Sequence, residues 1–170
     1  GALNAKILRA GNLSPRASDG EFQVNLNANA AMGRIRSYKL LGACPYSLLD
    51  AKMEFSPIDE SARAMMLLCR TPRENCVFNV SNNHLIPMED ILSRLSLIDG
   101  RKLEYVEFPE FMSRMQALMS DSRKAQQLSS LVAYAQSPSH AETVMNQPSV
   151  HFTMQVLYRL GFSWDHTSSA

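Results

Sequence analysis

Three short apolar runs constrain this chain most, because helix-patterned sequence separates each from the next. The first holds Ile7 and Leu8 and ends at Gly11-Asn12. The second is Cys76-Val77-Phe78-Asn79-Val80. The third alternates as Leu103-Glu104-Tyr105-Val106-Glu107. Short apolar runs bounded by loop residues read as strands. Strand–helix–strand order predicts parallel pairing through crossover helices. Three parallel strands with open edges make a poor sheet by themselves, and such an edge offers a route to dimers. The expectation is an α/β fold entered part-way through its sheet and followed by a helix-rich region. The chain starts with Gly, as a trimmed chain would.

Between the runs the helical signals are clear. Residues 22–41 place Val24, Ala28, Ala31, Ile35 and Tyr38 on one stripe, with Gly42 as the stop. Asn25, Asn27 and Asn29 are many asparagines for one helix, since Asn competes for backbone hydrogen bonds. Residues 45–50 read as an irregular loop and 53–55 as a very short strand. Ser56-Pro57-Ile58-Asp59 reads as a helix start, with Ser56 as cap and Pro57 in the first turn. Further helices are expected over 87–97, 109–119 and 123–134. A polar loop over 137–148 leads to a last helix capped by Ser149.

Composition narrows the function classes. The 170 residues are 45% hydrophobic and 19% charged, which suits a packed core rather than a disordered chain. Lys plus Arg is 17 and Asp plus Glu is 16, a net charge of +1 that gives no reason to expect nucleic acid. No run approaches the roughly 18 apolar residues of a membrane span, and no signal peptide is visible. Cys44, Cys69 and Cys76 form no CxxC and read as buried free thiols, which points to the cytoplasm. His84, His140, His151 and His166 are scattered, so no metal site is expected. The methionines fall at core spacing. GxGxxG, GxSxG, HExxH and a Tyr four residues before a Lys are all absent.

Several pieces, in order, carry a resemblance. They are Arg9-Ala10-Gly11-Asn12-Leu13, Arg16, Asp19-Gly20, Phe22-Gln23 with Asn25 and Asn29, then Leu41-Gly42 with Pro45-Tyr46. Glu54-Phe55-Ser56-Pro57-Ile58-Asp59 with Ala62, the strand ending at Val80 with Asn82-Asn83-His84, and Leu160-Gly161-Phe162-Ser163-Trp164 complete it. The chain resembles the terminal thioester reductase domains of nonribosomal peptide synthetases, within the extended short-chain dehydrogenase/reductases. That resemblance implies the last strands of a Rossmann-like parallel sheet over residues 1–85. It implies a mainly helical substrate- and carrier-binding subdomain over 86–170, both parts of one larger domain.

The family implies an NADPH-dependent reduction that releases a peptide from a phosphopantetheinylated peptidyl carrier protein as an aldehyde or alcohol. The family's catalytic Thr, Tyr and Lys and its Gly-rich cofactor turn lie upstream of the matching strand. No catalytic residue is therefore assigned here, and the chain alone is expected to be inactive and to hold no NADPH tightly. Gly11, Asn12 and Leu13 are expected beside the nicotinamide, at the carboxyl end of a parallel strand. Arg16, Phe22, Gln23 and Asn25 are expected to face the acyl or pantetheine group. Two other readings stay open. One is a carrier-protein docking module using Arg34, Arg36 and Lys39, with no catalysis. The other is a different extended short-chain reductase or epimerase.

Overall fold

The computed structural model describes residues 5–22, 29–72, 77–135 and 149–165. Two compact units share the chain, which passes between them near residues 23, 53, 85 and 146. The last helix belongs to the same unit as the first strand.

The first unit is built on parallel pairing. β1 (Ile7–Ala10) lies beside β6 (Val77–Val80), with Ile7 opposite Val77 and Ala10 opposite Val80. Two strands about 70 residues apart pair as the apolar runs predicted. β2 (Leu13–Ser14) pairs in parallel with β5 (Ser56–Pro57). α2 (Ile58–Leu68) and α6 (His151–Arg159) cover β6. Their shared core is Ala64, Leu68, Phe78, Val80, Leu157, Phe162 and Trp164. Phe162 and Trp164 meet edge to face, with ring centres 5.3 Å apart. Polar bonds fix α6 on β6: Asn79 donates its N–H to Thr153 Oγ1 at 3.1 Å and its side-chain amide to the Ser149 carbonyl at 2.9 Å.

The expected helix start at Ser56 is corrected. Ser56 is a buried strand residue paired with Leu13, and α2 begins two residues later, after Pro57, without a side-chain cap. Pairing with β2 claims the Ser56 backbone, so its hydroxyl is turned to another use. Ser149 likewise does not cap α6, which starts after Val150.

The second unit holds α1 (Ala30–Leu41), α3 (Met88–Asp99), α4 (Phe108–Met119) and α5 (Ser122–Ala135). Asn29 caps α1, its Oδ1 accepting the Met32 N–H at 3.0 Å, so α1 starts at Ala30 and Phe22 is not helical. α1 packs on α5 where Gly33 meets Ser130, and Ser37 Oγ donates to the Gln127 carbonyl at 3.1 Å. Gly42, at φ +65, ends α1 in the left-handed region and turns the chain into β3 (Ala43–Pro45). β3 pairs in parallel with β8 (Glu104–Val106). The third apolar run therefore partners a segment read partly as loop, not the first two strands. β3 escapes sequence reading because Ala-Cys-Pro is too short to show a period. The remaining described strands are β4 (Lys52–Glu54), expected at 53–55, and β7 (Leu85–Pro87). Among the described residues, no helix is long and apolar enough to cross a membrane.

Candidate functional site

The chain leaves β1 at its carboxyl end through Gly11 and Asn12, which open into β2. Gly11 donates its N–H to the Val80 carbonyl at 2.9 Å, extending the β1–β6 ladder by one bond. A Cβ on Gly11 would lie 2.5 Å from Ser81 Cβ and 2.6 and 2.7 Å from the Glu54 carboxylate oxygens. Only glycine lets these three segments approach so closely.

Glu54 is the centre of this turn. It is 2% exposed. Its Oε2 accepts the Asn12 N–H at 2.7 Å, and its Oε1 accepts the Ser56 hydroxyl. Asn12 returns a bond from Nδ2 to the Glu54 carbonyl at 3.2 Å, and its own carbonyl accepts the Ser56 N–H at 2.9 Å. Ser56 Oγ accepts the Asn82 N–H at 2.9 Å, and Asn82 Oδ1 accepts the His84 N–H at 2.9 Å. Burial pushes the Glu54 carboxyl above its ordinary value, although hydrogen bonds from Ser56, Asn12 and Asn82 pull the other way. The result is a buried polar knot tying three segments together, residues 11–12, 54–56 and 82–84. Glu54, Ser56 and Asn82 were not expected to share a site. The one signal was a charged residue within the otherwise apolar Met53-Glu54-Phe55.

The other expected site residues take separate places. Leu13 lies in β2 and is half-buried. Arg16 closes a small loop, bonding Asp19 Oδ1 through Nε at 2.9 Å and Glu21 Oε2 through Nη2 at 2.7 Å. Its N–H also bonds the Glu21 carbonyl at 2.8 Å. Phe22 is half-buried beyond it, and Gln23 and Asn25 lie outside the described residues. Asp59 anchors this loop to α2. Its carboxylate accepts the N–H groups of Ala17 at 3.0 Å, Ser18 at 3.2 Å and Glu60 at 3.0 Å. Desolvation works against the charge, but these donors together hold the Asp59 carboxyl below its usual range.

The turn suits a wall better than a ligand cradle. The Asn12 N–H, Nδ2 and carbonyl are all engaged within the chain, and the space over Gly11 is filled by Ser81 and Glu54. Among the described residues, no group of three or more His, Cys, Asp or Glu is placed to hold a metal ion. Of the three thiols expected to be buried, Cys44 is, and burial pushes it up to about 11; Cys69 is exposed at the end of α2, and Cys76 lies outside the described residues.

No family model matches the chain, and no curated protein matches it in sequence. Solved structures do. A thiolation-reductase di-domain from an archaeal non-ribosomal peptide synthetase is 30% identical, with a TM-score of 0.79 over 99% of this chain. The aureusimine biosynthetic cluster reductase domain aligns over 99% at 18% identity and a TM-score of 0.66. The terminal R domain of the myxalamid PKS-NRPS pathway aligns over 96% at 16% identity and 0.71. This chain spans 34%, 42% and 40% of those three chains. In its mixed α/β architecture of short parallel strand pairs and helices, the chain carries the fold of part of a nonribosomal peptide synthetase reductase domain.

Proposed function

We propose that the chain is the substrate-side part of an NADPH-dependent thioester reductase, which releases a carrier-bound peptide as an aldehyde or alcohol. The observation that carries this reading is the 30% identity and 0.79 TM-score to the archaeal thiolation-reductase di-domain over nearly the whole chain. The partner in this reading is a phosphopantetheinylated peptidyl carrier protein with its thioester-bound peptide.

NADPH, when bound, would supply the hydride that reduces the thioester carbonyl carbon. Gly11, Asn12 and Leu13 contribute shape at the strand end, where open α/β sheets bind ligands. Glu54 and Ser56 keep that turn in place by taking up its polar groups. The Arg16–Glu21 loop, pinned by Asp59, borders the acyl or pantetheine side. These residues bind and orient. The proton donor for the carbonyl oxygen belongs to the upstream half of the domain.

The test follows NADPH absorbance with an aminoacyl pantetheine thioester, using this chain and a longer chain that adds the upstream half. Turnover only in the longer chain supports the reading. Turnover by this chain alone overturns the assignment to the substrate side. Absence of turnover in both, with carrier protein still bound, makes the chain a docking module.

A further inference from the structure

Two neighbouring clefts of the second unit share Lys102 and Leu103. The first has a volume of about 470 Å³ and brings Arg36 and Lys39 of α1 together with Arg101 and Lys102, some 60 residues away. Leu95 and Leu103 are among its apolar lining, and no carboxylate among the described residues lines it. The second, of about 550 Å³, is lined by Leu92, Leu97, Leu103 and Tyr105, with the Ser93 and Ser96 hydroxyls. Both volumes lie in the range of small-molecule sites.

The charge needs an explanation. α1 ends at Leu41 and α3 at Asp99, so two helix carboxyl ends converge here. Each carries roughly −0.5 of a charge, so together they offset about one of the three cations Arg36, Arg101 and Lys102. Arg36, Arg101 and Lys102 form no ion pair among the described residues. Positive charge in surplus therefore faces a cleft lined in part by Leu95 and Leu103, and the neighbouring cleft shares Lys102 and Leu103 with it.

We propose that these clefts form a binding site for a phosphate-headed amphiphile, with its phosphate among Arg36, Arg101 and Lys102 and its chain along Leu103 towards Leu97. Arg guanidinium groups suit phosphate by bidentate bonding and Lys by point charge. The adjoining groove gives the chain apolar cover. This site lies within the second unit and does not depend on the reductase reading.

The experiment is calorimetric titration of this chain with octyl phosphate, inorganic phosphate and octyl glucoside, with phosphatidylglycerol vesicles as a separate arm. Octyl phosphate is expected to bind more tightly than either single-feature probe. R101E and K102E should each weaken it about tenfold or more, the scale of a hydrogen bond to a charged group. Thermal unfolding of each variant, with the milder R101Q alongside, separates lost binding from lost folding. Equal binding of octyl glucoside, or octyl phosphate binding indifferent to folded R101E and K102E, overturns the site. Binding to vesicles alone overturns it too, in favour of a charged membrane-facing surface.

Discussion

The Glu54 carboxylate accepts the Asn12 backbone N–H at 2.7 Å, joining the turn after the first strand to a residue 42 positions away. Because Glu54 is buried, this bond decides the conformation of the turn that the reductase reading places beside the cofactor. Glu54→Ala leaves the Asn12 N–H and the Ser56 hydroxyl without their acceptor. A loss of about 1–3 kcal/mol in unfolding free energy is expected. Glu54→Gln retains one acceptor and the shape, and should lose less. Equal loss in the two variants, measured by urea unfolding, would count against the hydrogen-bonded role.

Gly11→Ala places a methyl group 2.5 Å from Ser81 Cβ and against both Glu54 oxygens. The expected cost is about 1–3 kcal/mol, as in other overpacked sites, or a fall of roughly 2–4 °C in melting temperature per kcal/mol. Gly20→Ala is the contrast. No atom lies within 4 Å of a Cβ there, and the cost comes from φ +73 alone. Thermal melts should rank Gly11→Ala as the more damaging.

The pH dependence of stability has two limbs of opposite origin. Burial raises the Glu54 carboxyl, so between its ordinary and its raised value the folded chain holds more protons than the unfolded chain. Stability therefore falls as pH rises through that window, and Glu54→Gln should flatten this limb. The Asp59 carboxyl is held low, so its contribution is present above the ordinary Asp value. It is lost as pH falls through the folded value, and Asp59→Asn should remove that acid limb. Unfolding midpoints recorded from acid to neutral pH check both signs.

Gly33 sits in α1 where a Cβ would meet Ser130 Oγ at 2.6 Å and Ser130 Cβ at 3.0 Å. Gly33→Ala should gain nothing in the native chain, although Ala is favoured over Gly in a helix by about 1 kcal/mol. In a Ser130→Gly background the collision is gone, and the same change should stabilise by about that amount. A double-mutant cycle on the two positions measures the difference. Additive values would show that α1 and α5 are not in close contact here.

Thiol labelling gives a direct check on the second unit. Cys44 is buried, with its thiol pushed up to about 11, and Cys69 is exposed. At neutral pH a maleimide should modify Cys69 and leave Cys44 untouched until the chain is unfolded. Peptide mapping by mass spectrometry distinguishes the two, and rapid native labelling of Cys44 would contradict its burial in β3.

Most helices and the longer strands could be read from local pattern, although β3 and the strand at Ser56 could not. Apolar periodicity placed most helices to within a few residues, because a helix face repeats every three to four positions whatever packs against it, but α1 starts at Ala30, eight residues after the expected start at Phe22, where Asn29 caps it. The runs at Ile7 and Val77 were legible as parallel strands, though not as wholly buried ones: Ile7 and Val77 are exposed, and Phe78 and Val80 carry the burial. The ordered motifs pointed to the reductase family. Tertiary structure decided what is paired with what. The third apolar run joined Ala43–Pro45 rather than the first two strands, and Ser56 became a strand residue and not a cap. Strand partners and buried hydrogen bonds depend on segments tens of residues apart, which no local pattern encodes. Glu54 shows the consequence: as a letter it is one charge in a short strand, and only the fold surrounds it with Asn12, Ser56 and the turn after Val80.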